Sequence, residues 1–390
     1  MQKFMRKLSR FDFWLLLPYL ILCSIGVVMV YSASAVIRVQ TGGSPTTYLI
    51  KQTIYALIGF AVAFLVYNMN LEWFRNRAYL RDGMFLLLAA LLFVKGFGAS
   101  VNGAQGWINL GIISIQPAEF VKFYLITYLA HIFTSYKEYP ENYYRGKLWN
   151  PIIICILFVA LILAQPDTGG AAINLVICFV LFLAGVSQWK VGSTILATAV
   201  GLIIVGLPMA SSWLADHLSG YKVARFVAYL NPFGTASGAG SQLVNSYYAI
   251  SNGGLTGVGL GNSIQKMGYL PEPNTDFILA VIAEELGFVM VALILILLAI
   301  IICRAVLLGA RTNNVYEGLI CYGVATFICV ETAFNVGAVS GLLPITGVTL
   351  PFISYGGSSM IVLSASLGLV LNVSRRQRER AGLKGAVANV

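Results

Sequence analysis

Charge is what this 390-residue chain has least of: Asp, Glu, Lys and Arg make up 10% of it, against 58% hydrophobic residues. Soluble proteins carry about 25% charged residues. Two or three soluble domains, the usual reading of such a length, are therefore excluded for want of polar surface. Disorder is excluded by the same figures, because it needs few apolar residues and many charges. Histidine is almost missing, present only as His131 and His217, and no cysteines are spaced as CxxC. A structural or catalytic zinc site thus lacks a ligand set, and neither histidine carries motif support for a Ser/His/Asp or Cys/His nucleophile. The six cysteines, Cys23, Cys155, Cys178, Cys303, Cys321 and Cys329, all lie in apolar stretches. They read as free buried thiols, not as a disulfide framework. The net charge of +10 comes from basic residues in short segments between apolar runs, with no basic helix and no aromatic-interleaved basic stretch. A nucleic-acid partner is not expected, and cytoplasmic anchoring of loops is.

What is present in quantity is apolar sequence, and it points to an all-α polytopic membrane protein of one domain, residues 1–390. A membrane helix needs roughly 17–25 apolar residues. Ten candidates meet that description: 13–36, 53–69, 79–97, 119–135, 149–165, 170–187, 190–208, 276–304, 318–343 and 352–373. The third is the weakest, since Arg81 and Asp82 stand at its start. The fifth and sixth are separated only by Pro166, Asp167, Thr168 and Gly169, which predicts a tight helical hairpin. The beginning of the chain has the outline of a signal peptide, with Lys3, Arg6, Lys7 and Arg10 before the apolar run and Ser32-Ala33-Ser34-Ala35 after it. The run from Phe13 to Val30 is longer than the 7–15 residues of a signal core, so an uncleaved first span is expected.

Of the 25 basic residues, 18 fall in segments that share one side when the N-terminus is placed inside. Both ends are then cytoplasmic, 1–12 as a basic lead-in and 374–390 as a basic tail, in line with the bias of cytoplasmic loops toward Lys and Arg. Residues 209–275 form a 67-residue extracytoplasmic loop between the seventh and eighth spans, with Gly-rich stretches at 234–240 and 251–261. Long loops are disproportionately functional. Within it, 242–250 is expected as a short interfacial helix. The connection 98–118, with Trp107 and Pro117, is expected to dip into the protein at membrane depth.

An ionised side chain at membrane depth costs roughly 2.5–3.5 kcal/mol or more unless paired or watered, which makes each one a functional candidate. Away from the aqueous loops these are Glu119, Asp167, Asp276, Glu284, Glu285 and Glu331, with Lys122 as the internal cation. Glu119 and Lys122 lie three apart on one helix face. Two readings stand: a self-neutralising pair, or a lysine aimed at an anion. Asp167 reads first as a cap for the following helix. Asp276 opens the eighth span directly after the long loop, either as a cap or as an acid at the mouth of a cleft. Glu284 lies eight residues on, about 12 Å deeper, and Glu331 reads as a structural hydrogen-bonding residue. The Gly259-Leu260-Gly261 run lacks the Lys-Ser/Thr of a Walker loop and is expected to be a flexible loop.

Four blocks carry a resemblance. Residues 102–122 read NGAQGWINLGIISIQPAEFVK, residues 165–169 read QPDTG, residues 251–285 read SNGGLTGVGLGNSIQKMGYLPEPNTDFILAVIAEE, and residues 343–359 read LPITGVTLPFISYGGSS. In that order they resemble the SEDS family (shape, elongation, division and sporulation), the RodA/FtsW type of peptidoglycan glycosyltransferase, over nearly the whole chain. The resemblance implies ten spans with a large extracytoplasmic loop. It also implies polymerisation of lipid II into glycan strands at the outer face of the bacterial cytoplasmic membrane. Asp276 matches the family's general base. Trp107 and Lys122 match its other implicated residues, and Gln116, Glu119, Gln265, Glu272, Glu284 and Ser358 fall in the same blocks as candidate substrate contacts. One departure is Gly106 before Trp107, where many members have Arg. It removes a cation from that position and leaves more to Lys122.

The chemistry so implied needs a base for the acceptor hydroxyl, positive charge toward the departing undecaprenyl diphosphate, and an apolar flank for the polyprenyl tails. Lys222, Arg225 or a divalent cation, Mg or Mn, are further candidates at the diphosphate. An α-linked donor giving a β-linked glycan implies inversion, for which one base suffices. The resemblance further implies a class B penicillin-binding protein as transpeptidase partner, other divisome membrane proteins, and a place at the septum. An elongation-type polymerase, a flippase for lipid-linked precursors and a non-catalytic scaffold are the alternatives.

Overall fold

The computed structural model describes residues 11–101, 104–109, 114–139, 149–186, 227–236, 238 and 240–387. The helices in chain order are α1 (Phe13–Gln40), α2 (Thr47–Asn68), α3 (Arg77–Phe97), α4 (Pro117–Glu138), α5 (Trp149–Leu163), α6 (Thr168–Val186), α7 (Ser241–Gly253), α8 (Ile278–Arg311), α9 (Val315–Val339) and α10 (Gly357–Val387). Six of these, α1, α2, α6, α8, α9 and α10, are long and apolar enough to cross a membrane. Nine of the ten expected spans fall on described helices, and 190–208 lies outside the described residues. The helix starts are written locally. The Asp12 carboxylate accepts from Trp14 N at 3.3 Å and Asn76 from Ala78 N at 2.9 Å, while Pro117 stands at the first turn of α4, where its missing N–H costs nothing.

The chain is not wholly helical. Where 98–118 was expected as an irregular dip, three short antiparallel strands run in the order β1 (Ala99–Val101), β2 (Ala104–Asn109), β3 (Ser114–Ile115). Trp107 pairs with Ala99, and Ile108 with Ile115. Aromatic and β-branched residues suit a pleated surface, and the Asn102-Gly103 dipeptide between β1 and β2 is a hairpin signal. The sheet ends directly on α4 and so fixes where that helix begins.

The eighth span is broken. Gly287 has φ 76° and ψ −179°, a backbone region open essentially to glycine alone. The interruption frees carbonyls above it and amides below it. In an apolar slab each must be answered by protein. Residues 254–259 do this: Val258 N and Gly259 N donate to the Glu284 and Glu285 carbonyls at 3.0 and 2.9 Å, and the Gly254 and Leu255 carbonyls accept from Phe288 N and Val289 N at 2.9 and 3.2 Å. Backbone lies so close to backbone here that a Cβ on Gly253 would run into the Ala283 carbonyl oxygen. The stretch expected as a flexible loop is thus docked on α8, because its glycines permit main-chain contact. The predicted helix at 242–250 exists as α7 and packs on α8.

The side chains of the same two glutamates complete the staple. Glu284, buried, accepts from Asn252 Nδ2 at 2.9 Å, from Ile264 N at 3.1 Å, from Gln265 N at 3.3 Å and from the Ser263 hydroxyl. Glu285 accepts from Lys266 Nζ at 2.5 Å and from Ser32 Oγ of α1 at 2.7 Å. At the other end of the helices, the expected basic tail continues α10 and is paired. Asp12 is met by Arg304 at 2.8 Å, Arg378 at 3.3 Å and Ser374 at 2.7 Å, and Glu317 holds both terminal nitrogens of Arg380 at 2.8 Å.

Two outcomes follow for stability, read as thermal unfolding of the purified protein in detergent. Gly287→Ala is expected to cost about 1–3 kcal/mol, the range for a side chain held at a glycine-only backbone position. Lys266→Met, which strands the Glu285 carboxylate, is expected to cost about 3–5 kcal/mol, and adding Glu285→Gln should restore part of it. Additive losses in that double variant would deny the pairing.

Candidate functional site

The segment before α8 is tied down on both sides. Asn335, in α9, gives one amide proton to the Asp276 carbonyl and the other to the Val348 carbonyl, each at 2.8 Å. Ser354 Oγ donates to the Thr275 carbonyl at 2.6 Å and Tyr355 N to the Asn274 carbonyl at 2.9 Å. The stretch 272–276 is therefore clamped between α9 and the connection 340–356. Helix α8 begins at Ile278 with Phe277 as its N-cap and no side-chain cap bond. Asp276 is 8% exposed; its carboxylate takes a hydrogen bond from Thr275 Oγ1 at 3.0 Å and faces Gly347, on which a Cβ would lie 3.9 Å from Asp276 Oδ2. Glu272 stands beside it, 3.1 Å from the same Thr275 hydroxyl.

From Gly347 the polar rim continues across the molecule. A Cβ on Gly169, at the start of α6, would meet the Thr346 carbonyl oxygen at 2.8 Å. Asp167 accepts from Gly170 N at 2.7 Å, capping α6 as its spacing predicted, and also from Gln116 Nε2 at 3.3 Å. Gln116 N donates to Ser358 Oγ at 2.9 Å, and that hydroxyl donates to the Ser114 carbonyl at 3.2 Å. Gly106, beside Trp107 on β2, is in turn close to Gln116, with an added Cβ 3.7 Å from its Nε2. Trp107 itself is half-buried. Asp276, Glu272, Gln116, Ser358 and Asp167 thus share one rim, with the Trp107 strand at its edge.

Below the rim lies a charge triad. Lys122 is buried, with Nζ 2.7 Å from Glu119 Oε1 and 2.5 Å from Glu331 Oε1, and it sits 5.0 Å from the Phe327 ring centroid. The self-neutralising pair read from spacing is present, and Glu331 is its third member. The second oxygens of Glu119 and Glu331 are buried without a hydrogen-bond partner among the described residues. Glu331 and Asn335 are four apart in α9, so the partner of Lys122 and the clamp of Asp276 lie about 6 Å apart along one helix.

Two predicted contacts are elsewhere. Glu284 and Gln265 belong to the staple that docks 252–268 on α8. Lys222 and Arg225 lie outside the described residues. Three rim residues had no place among the predicted ones: Asn335, Thr346 and Gly347. The Thr346 hydroxyl is buried with no partner among the described residues, a polar position between Gly169 and the Asp276 side. Among the described residues, no three His, Cys, Asp or Glu side chains come together in a group fit to hold a metal ion.

Comparison with known proteins agrees over nearly the full length. Residues 13–379 match the family FTSW_RODA_SPOVE, described as cell cycle protein. A relative from Enterococcus hirae, named "Probable peptidoglycan glycosyltransferase FtsW", is 38% identical, covering 96% of this chain and 94% of its own. The stage V sporulation protein E of Bacillus subtilis is 36% identical over 94% of this chain and 98% of its own. Among solved structures, a chain from work on the structural coordination of polymerization and crosslinking by a peptidoglycan synthase complex superposes with TM-score 0.74, at 26% identity over 94% of this chain and 98% of that one. The rod shape determining protein RodA of Thermus thermophilus does so at TM-score 0.64 and 25% identity, over 94% and 97% of the two chains. On these matches and the helical membrane fold that houses the site, the chain belongs to the FtsW/RodA/SpoVE family of cell cycle proteins.

Proposed function

We propose that this protein is a peptidoglycan glycosyltransferase that polymerises lipid II at the outer face of the bacterial cytoplasmic membrane. The observation that carries the reading is the held carboxylate of Asp276. It lies at a polar rim and is clamped by Asn335, one helical turn along α9 from Glu331, the partner of a buried lysine, in a chain whose relatives bear the name of that activity. Ten spans, both termini in the cytoplasm and an outer 209–275 loop put the rim on the side where the sugars are.

Asp276 is the base. Its main chain is fixed by Asn335, so the carboxylate is positioned before substrate arrives. It takes the proton of the attacking sugar hydroxyl as the new bond forms at the donor's anomeric carbon, and the diphosphate leaves from the opposite face with its electron pair. One inversion follows, and a carboxylate nucleophile is not needed. Gln116, Ser358, the Thr346 hydroxyl and the Trp107 ring are the rim groups available to the sugars. Lys122 acts from beneath. Glu119 is the more exposed of its two partners, so parting that pair frees the ammonium toward the diphosphate while Glu331 keeps the lysine in place. Among the described residues no three His, Cys, Asp or Glu side chains are gathered for Mg or Mn, and the steps above run on the chain's own residues without a divalent cation.

The greater identity to relatives named FtsW, 35–38%, than to RodA, 25–26%, supports a role in septal wall synthesis. A transpeptidase of the penicillin-binding class is the partner this reading calls for. The match to a chain from a complex that coordinates polymerization and crosslinking supports it.

The deciding assay is lipid II polymerisation by purified protein in detergent, with the transpeptidase present. Asp276→Asn, folded and partner-bound, should lose about 10²–10⁴ of the rate, the usual contribution of a general base. Normal polymerisation by that variant would remove the assignment, and a wild type that polymerises nothing where no membrane need be crossed would favour a flippase. Lys122→Met should lose activity and stability together, since two buried carboxylates are left facing each other. Adding Glu331→Gln should recover stability but not rate. In cells, depletion should give filaments or chains, and rounding would point to elongation instead.

A further inference from the structure

A second cavity lies away from the rim, at the opposite end of the helices. It is about 200 Å³ and sits between α3, α4 and α5. Its lining includes Arg77 and Arg81 from the first turns of α3, Tyr124, Tyr128 and His131 from α4, and Ile154 from α5. The Asp276 chemistry uses none of these residues.

Three features of this cavity converge. Its mouth is basic. Arg77 is exposed and makes no ion pair among the described residues, and Arg81 pairs only with its neighbour Asp82 at 3.0 Å, both side chains being more than half exposed. Exposed pairs of this kind hold weakly. The positive end of the α3 dipole points the same way. Its wall is aromatic, since the Tyr124 and Tyr128 rings stack with centroids 5.5 Å apart. Two polar atoms of the lining, the Tyr124 hydroxyl and His131 Nδ1, are buried with no hydrogen-bond partner among the described residues, although unanswered polar groups are costly at such depth. The charged neighbours of His131 are Arg75, Arg77 and Glu138. Around the cavity, α3 exposes Phe85 and Leu86 and α5 exposes Ile153 and Ile156, which is surface for lipid and not for water.

We propose that this cavity binds the headgroup of an anionic glycerophospholipid, with the phosphodiester at Arg77 and Arg81 and the glycerol ester region against the Tyr124 and His131 side chains. The volume is below the roughly 300–1,000 Å³ of pockets that enclose a whole small ligand, so the acyl chains lie outside, along α3 and α5. A free phosphate would leave the aromatic wall and the apolar flank uncovered. Basic pockets between membrane helices on the cytoplasmic side are a recurrent form of anionic lipid recognition. The assignment to the inner leaflet rests on the proposed orientation, but the binding itself does not.

The test uses full-length protein in detergent micelles, with phosphatidylglycerol, phosphatidylcholine or inorganic phosphate added. Bound lipid is counted by native mass spectrometry and unfolding is followed by heat. Phosphatidylglycerol is expected to bind about tenfold better than phosphatidylcholine, on the scale of two arginines near a lipid phosphate, and to delay unfolding. Arg77→Gln with Arg81→Gln should bring that ratio below about twofold and leave lipid-free unfolding unchanged. Ile154→Trp, which fills the cavity and keeps the arginines, should also reduce phosphatidylglycerol binding. Equal binding of the two lipids by wild type, an unchanged preference in the arginine variant, or undiminished binding by Ile154→Trp would each overturn the proposal. Equal protection by inorganic phosphate would do the same. None of these readouts depends on polymerisation, so failure here and failure of the Asp276 assignment are told apart.

Discussion

A polar group carried into an apolar slab has to be answered from within the protein, and most of this structure is arranged around that obligation. The break in α8 at Gly287 is tolerated because a loop 30 residues earlier supplies both the donors and the acceptors that the helix gives up. Glu284 and Glu285 then turn the same place into a fixed joint, one binding loop amides and the other a lysine and a serine from α1. Lys122 is held by two carboxylates from different helices. Unpaired, each of these ions would cost several kcal/mol. Paired, they fix which helices sit side by side.

The same obligation positions the proposed base. Asp276 follows a long connection and precedes a helix, a place where a chain is free to wander. Its position is set by Asn335, whose amide spends both protons on main-chain carbonyls from two different segments. Because Glu331 is one turn away on α9, the lysine below and the carboxylate above are referred to a single rod. A change in α9 therefore reaches both, and they cannot be repositioned independently.

Much of this was legible in the sequence, for reasons of range. Helices such as α1 and α8 announce themselves through uninterrupted apolar runs, and the Asp167 cap and the Glu119–Lys122 pair are contacts between residues three apart. The rest depends on partners that no local pattern encodes. Lys122 meets Glu331 across 209 positions and Lys266 meets Ser32 across 234. Gly287 looks like any glycine in a membrane helix, since its unusual φ is caused by the loop that docks there. A criterion restricted to charged side chains passes over Asn335, although an amide at that depth obeys the same logic. Glu284 was legible as costly but not as spent, because its donors include backbone N–H groups, which every residue has. The small sheet before α4 was hidden by the expectation that a connection between spans is irregular.

The last helix has a consequence for force. Helix α10 is 31 residues long, or about 46 Å at 1.5 Å per residue. Near its start Ser358 holds Gln116 at the rim, and near its end Arg378 and Arg380 grip Asp12 and Glu317. A continuous helix is stiff in torsion, so the two grips belong to one shaft. A load that turns or pulls the arginine end would reach the serine at the rim as displacement, because the helix runs between them without a break.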